Sequence, residues 1–262
     1  MIPSPDQPQN IWRYSSLGWQ EISNRVISET NVTLSVNGEE WLTFACTPTN
    51  LEALAVGFLF NEGFIRHASE IAMVTPCDSG CNMDVWLHKS VERPKQWRRT
   101  SGCTGGVTSD QTTRPIPAAV DHHIYTAETI LNAMDQLLEV QQLYRETRGV
   151  HCSAISDGQS VRFLAEDIGR HNTLDKLSGM LLLQPETLSH RLILTTGRIS
   201  ADMLQKSALL GAALVISRTS PTTLSIEHAH QLGITLVGYA RRNQFSIYTH
   251  PERVLIPTAR LA

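Results

Sequence analysis

Sulfur chemistry has one strong candidate in this chain. Of the five cysteines, Cys46, Cys77, Cys81, Cys103 and Cys152, only Cys103 sits in a run of small residues, Thr100-Ser101-Gly102-Cys103-Thr104-Gly105-Gly106. The three glycines give a backbone that reaches positive φ and can move. Lys89, Arg93, Lys95, Arg98 and Arg99 stand just upstream, opposed only by Glu92. Cations favour the thiolate, which is the nucleophilic form of cysteine, and a mobile thiolate suits nucleophilic sulfur transfer. An ordinary loop cysteine beside a solvated basic stretch would look the same, and these residues alone leave both readings open.

The other cysteines read differently. Cys77-Asp78-Ser79-Gly80-Cys81 is a C-x₃-C pair. Structural zinc takes four ligands, usually as two close pairs. No second close pair is present, so two thiols in a turn is the favoured reading and no metal is expected. Cys46 and Cys152 lie in apolar, strand-like contexts and read as core residues.

Three turns suggest anion binding. Thr195-Thr196-Gly197-Arg198-Ile199-Ser200 and Ser217-Arg218-Thr219-Ser220 each follow an apolar strand and lead into a helix. Ligands of open α/β sheets bind along that edge, where helix N-termini offer N–H groups to phosphate. A third turn, Tyr239-Ala240-Arg241-Arg242-Asn243-Gln244, adds two cations and an aromatic ring. Singly, each arginine reads as a solvated loop residue; together they point to a nucleotide-like anion. None of the three is a G-x-G-x-x-G or a P-loop, so a conventional dinucleotide oxidoreductase or NTPase is not supported. Glu166-Asp167-Ile168-Gly169-Arg170-His171-Asn172 reads as a capping network or as ligand contacts from Arg170 and His171. His151, at a strand start, reads as structural.

These residues need a framework. With 262 residues, 41% hydrophobic and 18% charged, the chain is large enough for one large or two small domains and is not disordered. Its net charge of −3 argues against a general nucleic-acid binder while permitting local cationic patches. No apolar run approaches the ~20 residues of a membrane span. The N-terminus lacks the basic and apolar regions of a secretory signal, so a cytoplasmic protein is expected. Residues 1–22 read as a polar arm with Trp12, Tyr14 and Trp19 as isolated anchors. Residues 23–123 form a smaller α+β region: a hairpin about Asn37-Gly38, a helix from Leu51 ending at Gly63, and short strands around Val74 and Val85. The stretch from Lys89 to about His123 reads as a linker that ends this region with the Cys103 loop. Residues 124–262 form an α/β core, with a helix from Thr126 through Leu143, a hairpin about Asp157-Gly158, and alternating strands and helices. That alternation predicts three layers with largely parallel pairing. Ser220 is expected to cap a helix with Pro221 at its first position.

Taken in order, these segments resemble the FdhD family of formate dehydrogenase accessory sulfurtransferases. The matching stretches are Ala55-Val56-Gly57-Phe58-Leu59 with Asn61-Glu62-Gly63, then Ser101-Gly102-Cys103, Glu166 to Asn172 and Leu174-Asp175-Lys176. Gly197-Arg198-Ile199-Ser200, Ser220-Pro221-Thr222-Thr223-Leu224 and Gly233 to Tyr239 complete the set. The resemblance implies a cytoplasmic homodimer with a cytidine-deaminase-like core. It implies a sulfur carrier that accepts a persulfide from a cysteine desulfurase on Cys103. Sulfur then passes to bis-molybdopterin guanine dinucleotide, bound as cargo by Tyr239, Ala240, Arg241, Arg242, Asn243 and Gln244, for the formate dehydrogenase catalytic subunit. GDP would mimic part of that cargo. No nucleic-acid or membrane partner is implied. Many members carry C-x-x-C at the loop, whereas Gly106 here takes the second cysteine's place, and the glycine that members carry in the Tyr239–Gln244 turn is also replaced. The first change keeps a non-catalytic cofactor-binding chaperone as the alternative. A zinc nucleoside deaminase is rejected, since that chemistry needs H-x-E and P-C-x-x-C.

Overall fold

The computed structural model describes residues 2–77, 81–99, 107–109, 116, 118–119, 121 and 123–256. It is a mixed α/β structure. The chain opens with a long antiparallel hairpin, β1 (Asp6–Ser15) and β2 (Gly18–Ile27), in unbroken register from Asp6↔Ile27 to Ser15↔Gly18. Trp12, Tyr14 and Trp19 on it are exposed, so they are not the anchors that the sequence suggests.

A four-stranded sheet follows, in the order β4-β3-β6-β5, built from β3 (Thr30–Val36), β4 (Glu39–Cys46), β5 (Ile71–Pro76) and β6 (Asn82–Leu87). Asn37 and Gly38 turn the β3–β4 hairpin at φ 52° and 84°, as the dipeptide demands. Helix α1 (Leu51–Asn61) packs on this sheet and is buried on nearly every side. An all-round apolar helix requires a second cover, and a helix later in the chain, Arg170–Leu183, supplies it. Cys46 is fully buried, and burial lifts its thiol pKa to about 12.

Strands β7 (Trp97–Arg99) and β8 (Val107–Ser109) pair antiparallel. The expected linker therefore contains a ribbon, and the chain between its two strands includes Cys103. Trp97 seats the ribbon among Trp41 and Phe58, with ring centroids 6.5 and 5.8 Å away. Cys103 itself, with Arg98 and Arg99 as side chains, lies outside what the structure describes.

The larger sheet has the order β10-β9-β11-β12-β13-β14, comprising β9 (His151–Ser156), β10 (Val161–Asp167), β11 (Leu192–Thr195), β12 (Leu214–Ser217), β13 (Thr235–Arg241) and β14 (Gln244–Ile247). Only β11–β12 and β12–β13 pair in parallel; the other three pairings are antiparallel. The expectation of largely parallel pairing is thus corrected: tight turns at 157–160 and 242–243 join neighbours without a crossover. Helix α2 (Ala127–Val140) covers one face, and α4 (Arg170–Leu183), α5 (Ala201–Leu209) and α6 (Thr223–Gln231) cover the other.

Two helix ends differ from their sequence reading. Thr126 caps α2 as expected, accepting from Thr129 N at 3.2 Å, but the helix breaks at Gln141. A separate turn, α3 (Gln142–Thr147), follows because the Glu166 carboxylate accepts from the backbone N–H of Gln142, Leu143 and Tyr144 at 2.8–3.0 Å. Helix α6 starts two residues later than Pro221 suggests. Thr222 and Ser225 form a reciprocal capping box, while Pro221 is held extended in a bridge to Ile199. No helix among the described residues is long and apolar enough to cross a membrane.

Candidate functional site

The sheet's strand directions gather five loops at one edge. Strands β11, β12 and β13 run in parallel, so their carboxyl ends share that edge. Strand β9 is antiparallel to β11, which brings its first residue, His151, to the same place; β10 brings its last residue, Asp167, opposite His151. The loops are tied to one another. Thr196 and Cys152 exchange hydrogen bonds of 2.9 and 3.0 Å, Arg218 N donates to Thr195 O at 3.1 Å, and Tyr239 N donates to Thr219 O at 3.1 Å. Ser217 Oγ donates to Gly197 O at 2.7 Å.

A cleft of about 450 Å³ opens there, walled by Arg148, His151, Thr196, Arg218, Thr219 and Arg241, with Tyr144 and Ile168 at its side. No carboxylate is among its described lining residues. Nor is any ion pair described for Arg148, Arg218, Arg241 or Arg242. Clustered cations with no counter-charge among the described residues repel one another, which an anionic ligand relieves. Arg148 lies over the Tyr144 ring at 5.2 Å, and Arg241 over Tyr239 at 5.9 Å, so two guanidinium–aromatic pairs flank the cleft.

The end of β13 and the turn that follows it are strained. Tyr239 has φ 55° and Arg242 φ 58°, and the β13–β14 register slips between Gly238 and Arg241. Left-handed non-glycine residues of this kind concentrate at functional sites. The bulge turns the Tyr239 ring outward and buries Ala240 completely. Ala240 therefore offers a ligand only its backbone, while Arg241, Arg242, Asn243 and Gln244 are exposed.

Behind the cleft lies a buried polar layer. Asp167 accepts from Lys176 Nζ at 2.6 Å, Gly169 N at 2.8 Å and Thr47 N at 3.1 Å. The helix cap that the 166–172 segment suggested is not formed, since Gly169 is the N-cap and no side chain caps α4; Asp167 instead ties the loop before the helix to Thr47 and to a buried lysine. His151 is half-buried at the cleft wall; burial, then the Arg170 cation, lowers its pKa. His171 is almost fully buried, and burial, then Lys206 and Arg170, push its pKa down to about 2. Both imidazoles are therefore neutral at physiological pH.

Of the residues that the sequence singled out, Thr196, Arg218, Thr219 and Arg241 converge on the cleft. Arg198 does not: it lines a smaller cavity of about 290 Å³ with Arg170, Ser200 and Thr222. Sequence reasoning missed Tyr144 and Arg148, because the break at Gln141 that turns α3 toward the sheet depends on Glu166, a residue of a later strand. It read His151 as structural, yet the cleft exposes it. Cys152 is buried as expected, with a raised pKa caused chiefly by burial. Cys77 is half-buried and Cys81 exposed, at the β5–β6 turn. Among the described residues no cluster of three or more histidine, cysteine or acidic side chains could hold a metal.

Comparison with known proteins accords with this layout. Residues 27–255 match the model of the FdhD/NarQ family. The sulfur carrier protein FdhD of Bacillus subtilis strain 168 is 34% identical over 252 residues, covering 94% of this chain and 96% of that protein. The protein of the same name from Staphylococcus aureus strain Newman is 36% identical over 253 residues, with the same coverage. The crystal structure of a candidate formate dehydrogenase accessory protein from Desulfotalea psychrophila superposes with a TM-score of 0.81 at 28% identity. It covers 96% of this chain and 100% of its own. The chain belongs to the FdhD/NarQ family.

Proposed function

We propose that this chain is a cytoplasmic sulfur carrier that works as a homodimer and serves a formate dehydrogenase. A cysteine desulfurase donates the sulfur, and the molybdenum cofactor, bis-molybdopterin guanine dinucleotide, receives it. The cleft, with three arginines and no carboxylate among its described lining residues, carries the reading, because a guanine dinucleotide brings phosphates that need such a place. Guanidinium groups suit phosphate through paired, charge-assisted hydrogen bonds. Cys103 is the sulfur-bearing residue. Its thiolate attacks the terminal sulfur of the donor persulfide; the new S–S bond forms as the donor's S–S bond breaks, and the donor leaves as a thiolate with the bonding pair. The Cys103 persulfide is then the form delivered to the cofactor. With Gly106 in the loop, no second thiol there competes by closing a disulfide.

Incubation with a cysteine desulfurase and labelled cysteine should add one sulfur to the peptide containing Cys103, and Cys103→Ala should abolish the label. GDP binding should survive that change, whereas Arg218→Ala and Arg241→Ala should each weaken GDP about 10-fold or more, the scale of a lost charged hydrogen bond. If Cys103→Ala still supports an active formate dehydrogenase, the carrier reading fails and a cofactor-binding chaperone replaces it.

A further inference from the structure

The β1–β2 hairpin is poorly covered by its own chain. Each strand has ten residues, so the hairpin reaches roughly 30 Å. Its base is tied down by the Arg25–Asp6 ion pair, by Glu146 at 3.5 Å from Arg25, and by a backbone bond from Ser28 to Pro5. From Gln7 to Val26 no residue is buried. A lone two-stranded hairpin is at best marginally stable in water.

Its sequence is not that of a solvated arm. Strand register puts Trp12, Tyr14, Trp19 and Glu21 on one face, and the Tyr14 and Trp19 rings lie 5.2 Å apart. Trp12, Tyr14 and Trp19 are 66%, 68% and 67% exposed, and Leu17 at the tip is 86% exposed. Aromatic side chains at ~150–250 Å² each make this roughly 400 Å² of contiguous aromatic surface. Patches of that kind mark interaction sites.

Magnitude and charge select the occupant. A partner covering one such face would bury about 800 Å² in total, below the ~1,200 Å² at which stable specific interfaces begin. Used twice about a twofold axis, the same contact reaches about 1,600 Å², the standard size. The hairpin's charges, Asp6, Arg13, Glu21 and Arg25, cancel, so it has no field to attract an acidic protein or a polyanion. We infer that the aromatic face of the β1–β2 hairpin is the dimer contact of this protein, each hairpin lying across a second copy of the chain. The inference rests on the homodimer of the reading above and adds the surface that makes it.

Light scattering and sedimentation of the full chain test it across about 0.1 to 50 µM, a range that brackets a micromolar association. The wild type should have twice the chain mass of 29.1 kDa. The variant Trp12→Ser/Tyr14→Ser/Trp19→Ser should be monomeric, with its dissociation constant raised about 100-fold or more, while GDP affinity reports an intact body. Arg13→Ala, on the opposite face, should leave the constant unchanged. Oxidative footprinting of the wild type reads the same rings without substitution, and all three should become several-fold more protected as the dimer forms. A wild type that is monomeric throughout overturns the homodimer and this inference together. A wild-type dimer with unchanged ring protection, or a folded triple variant that dimerises as tightly, overturns this inference alone.

Discussion

At the scale of single residues, the turn that follows β13 trades stability for charge. Arg242 holds φ 58° between Arg241 and Gln244, which pair across the turn. A two-residue hairpin turn with positive φ at its first central position favours glycine there, and a side chain in the left-handed region costs ~1–2 kcal/mol. What the turn gains is a cation beside Arg241 and the Tyr239 ring. Arg242→Gly should therefore stabilise the protein by about 1 kcal/mol, raising the thermal midpoint by roughly 2–4 °C for a chain of this size. It should also weaken GDP several-fold through the lost charge. Differential scanning calorimetry and titration calorimetry on one variant check both effects. A lowered midpoint would show that the Arg242 side chain has a structural partner, and an unchanged affinity would place the ligand elsewhere.

Helices α1 and α4 meet at backbone contact, and that contact sets the wall behind the cleft. A Cβ on Gly57 would lie 1.7 Å from the Asp175 carbonyl oxygen, and one on Gly179 would lie 1.9 Å from that of Ala53. Backbone atoms cannot rotate aside, so both positions require glycine. The close approach lets Asn61 of α1 donate to Asp175 at 2.7 Å, while Lys206 of α5 reaches the same carboxylate at 2.6 Å. Three helices are thereby pinned through one buried carboxylate, and the amino end of α4 carries Arg170 and His171 against the sheet. Gly57→Ala should cost about 3 kcal/mol or more, because the helices must separate and break that network. Denaturant unfolding measures it, and a loss under about 1 kcal/mol would mean that the helices slide apart cheaply.

Over the whole molecule, local chemistry was readable in the sequence and long-range chemistry was not. Asn37-Gly38 and Asp157-Gly158 announced their hairpins because the turn itself demands those residues, and the start of α2 at Thr126 followed from the same kind of local hydrogen bond. The break at Gln141 was hidden because its cause, Glu166, lies 25 residues away. Largely parallel pairing failed because a strand–helix alternation does not reveal that β9 enters the sheet antiparallel beside β11. Half of the cleft could be read from its strand-to-helix turns; Arg148 and His151 reached it only through that antiparallel entry. The fold also sets both histidines near cations, His151 by Arg170 and His171 by Lys206 and Arg170, with a global consequence for stability. His171 faces Lys206 and Arg170, and its pKa falls from 6.5 unfolded to about 2 folded. The unfolded chain therefore binds that proton more readily. The stabilisation is complete above about pH 6.5 and is lost progressively as the pH falls toward 2. Between pH 7 and pH 5 His171 alone should cost about 2 kcal/mol, in a window above the lowered carboxylate of Glu70. Urea unfolding at the two pH values should show that drop in the wild type and a drop smaller by about that amount in His171→Gln. Parallel losses in both proteins would mean that His171 is protonated within the folded chain.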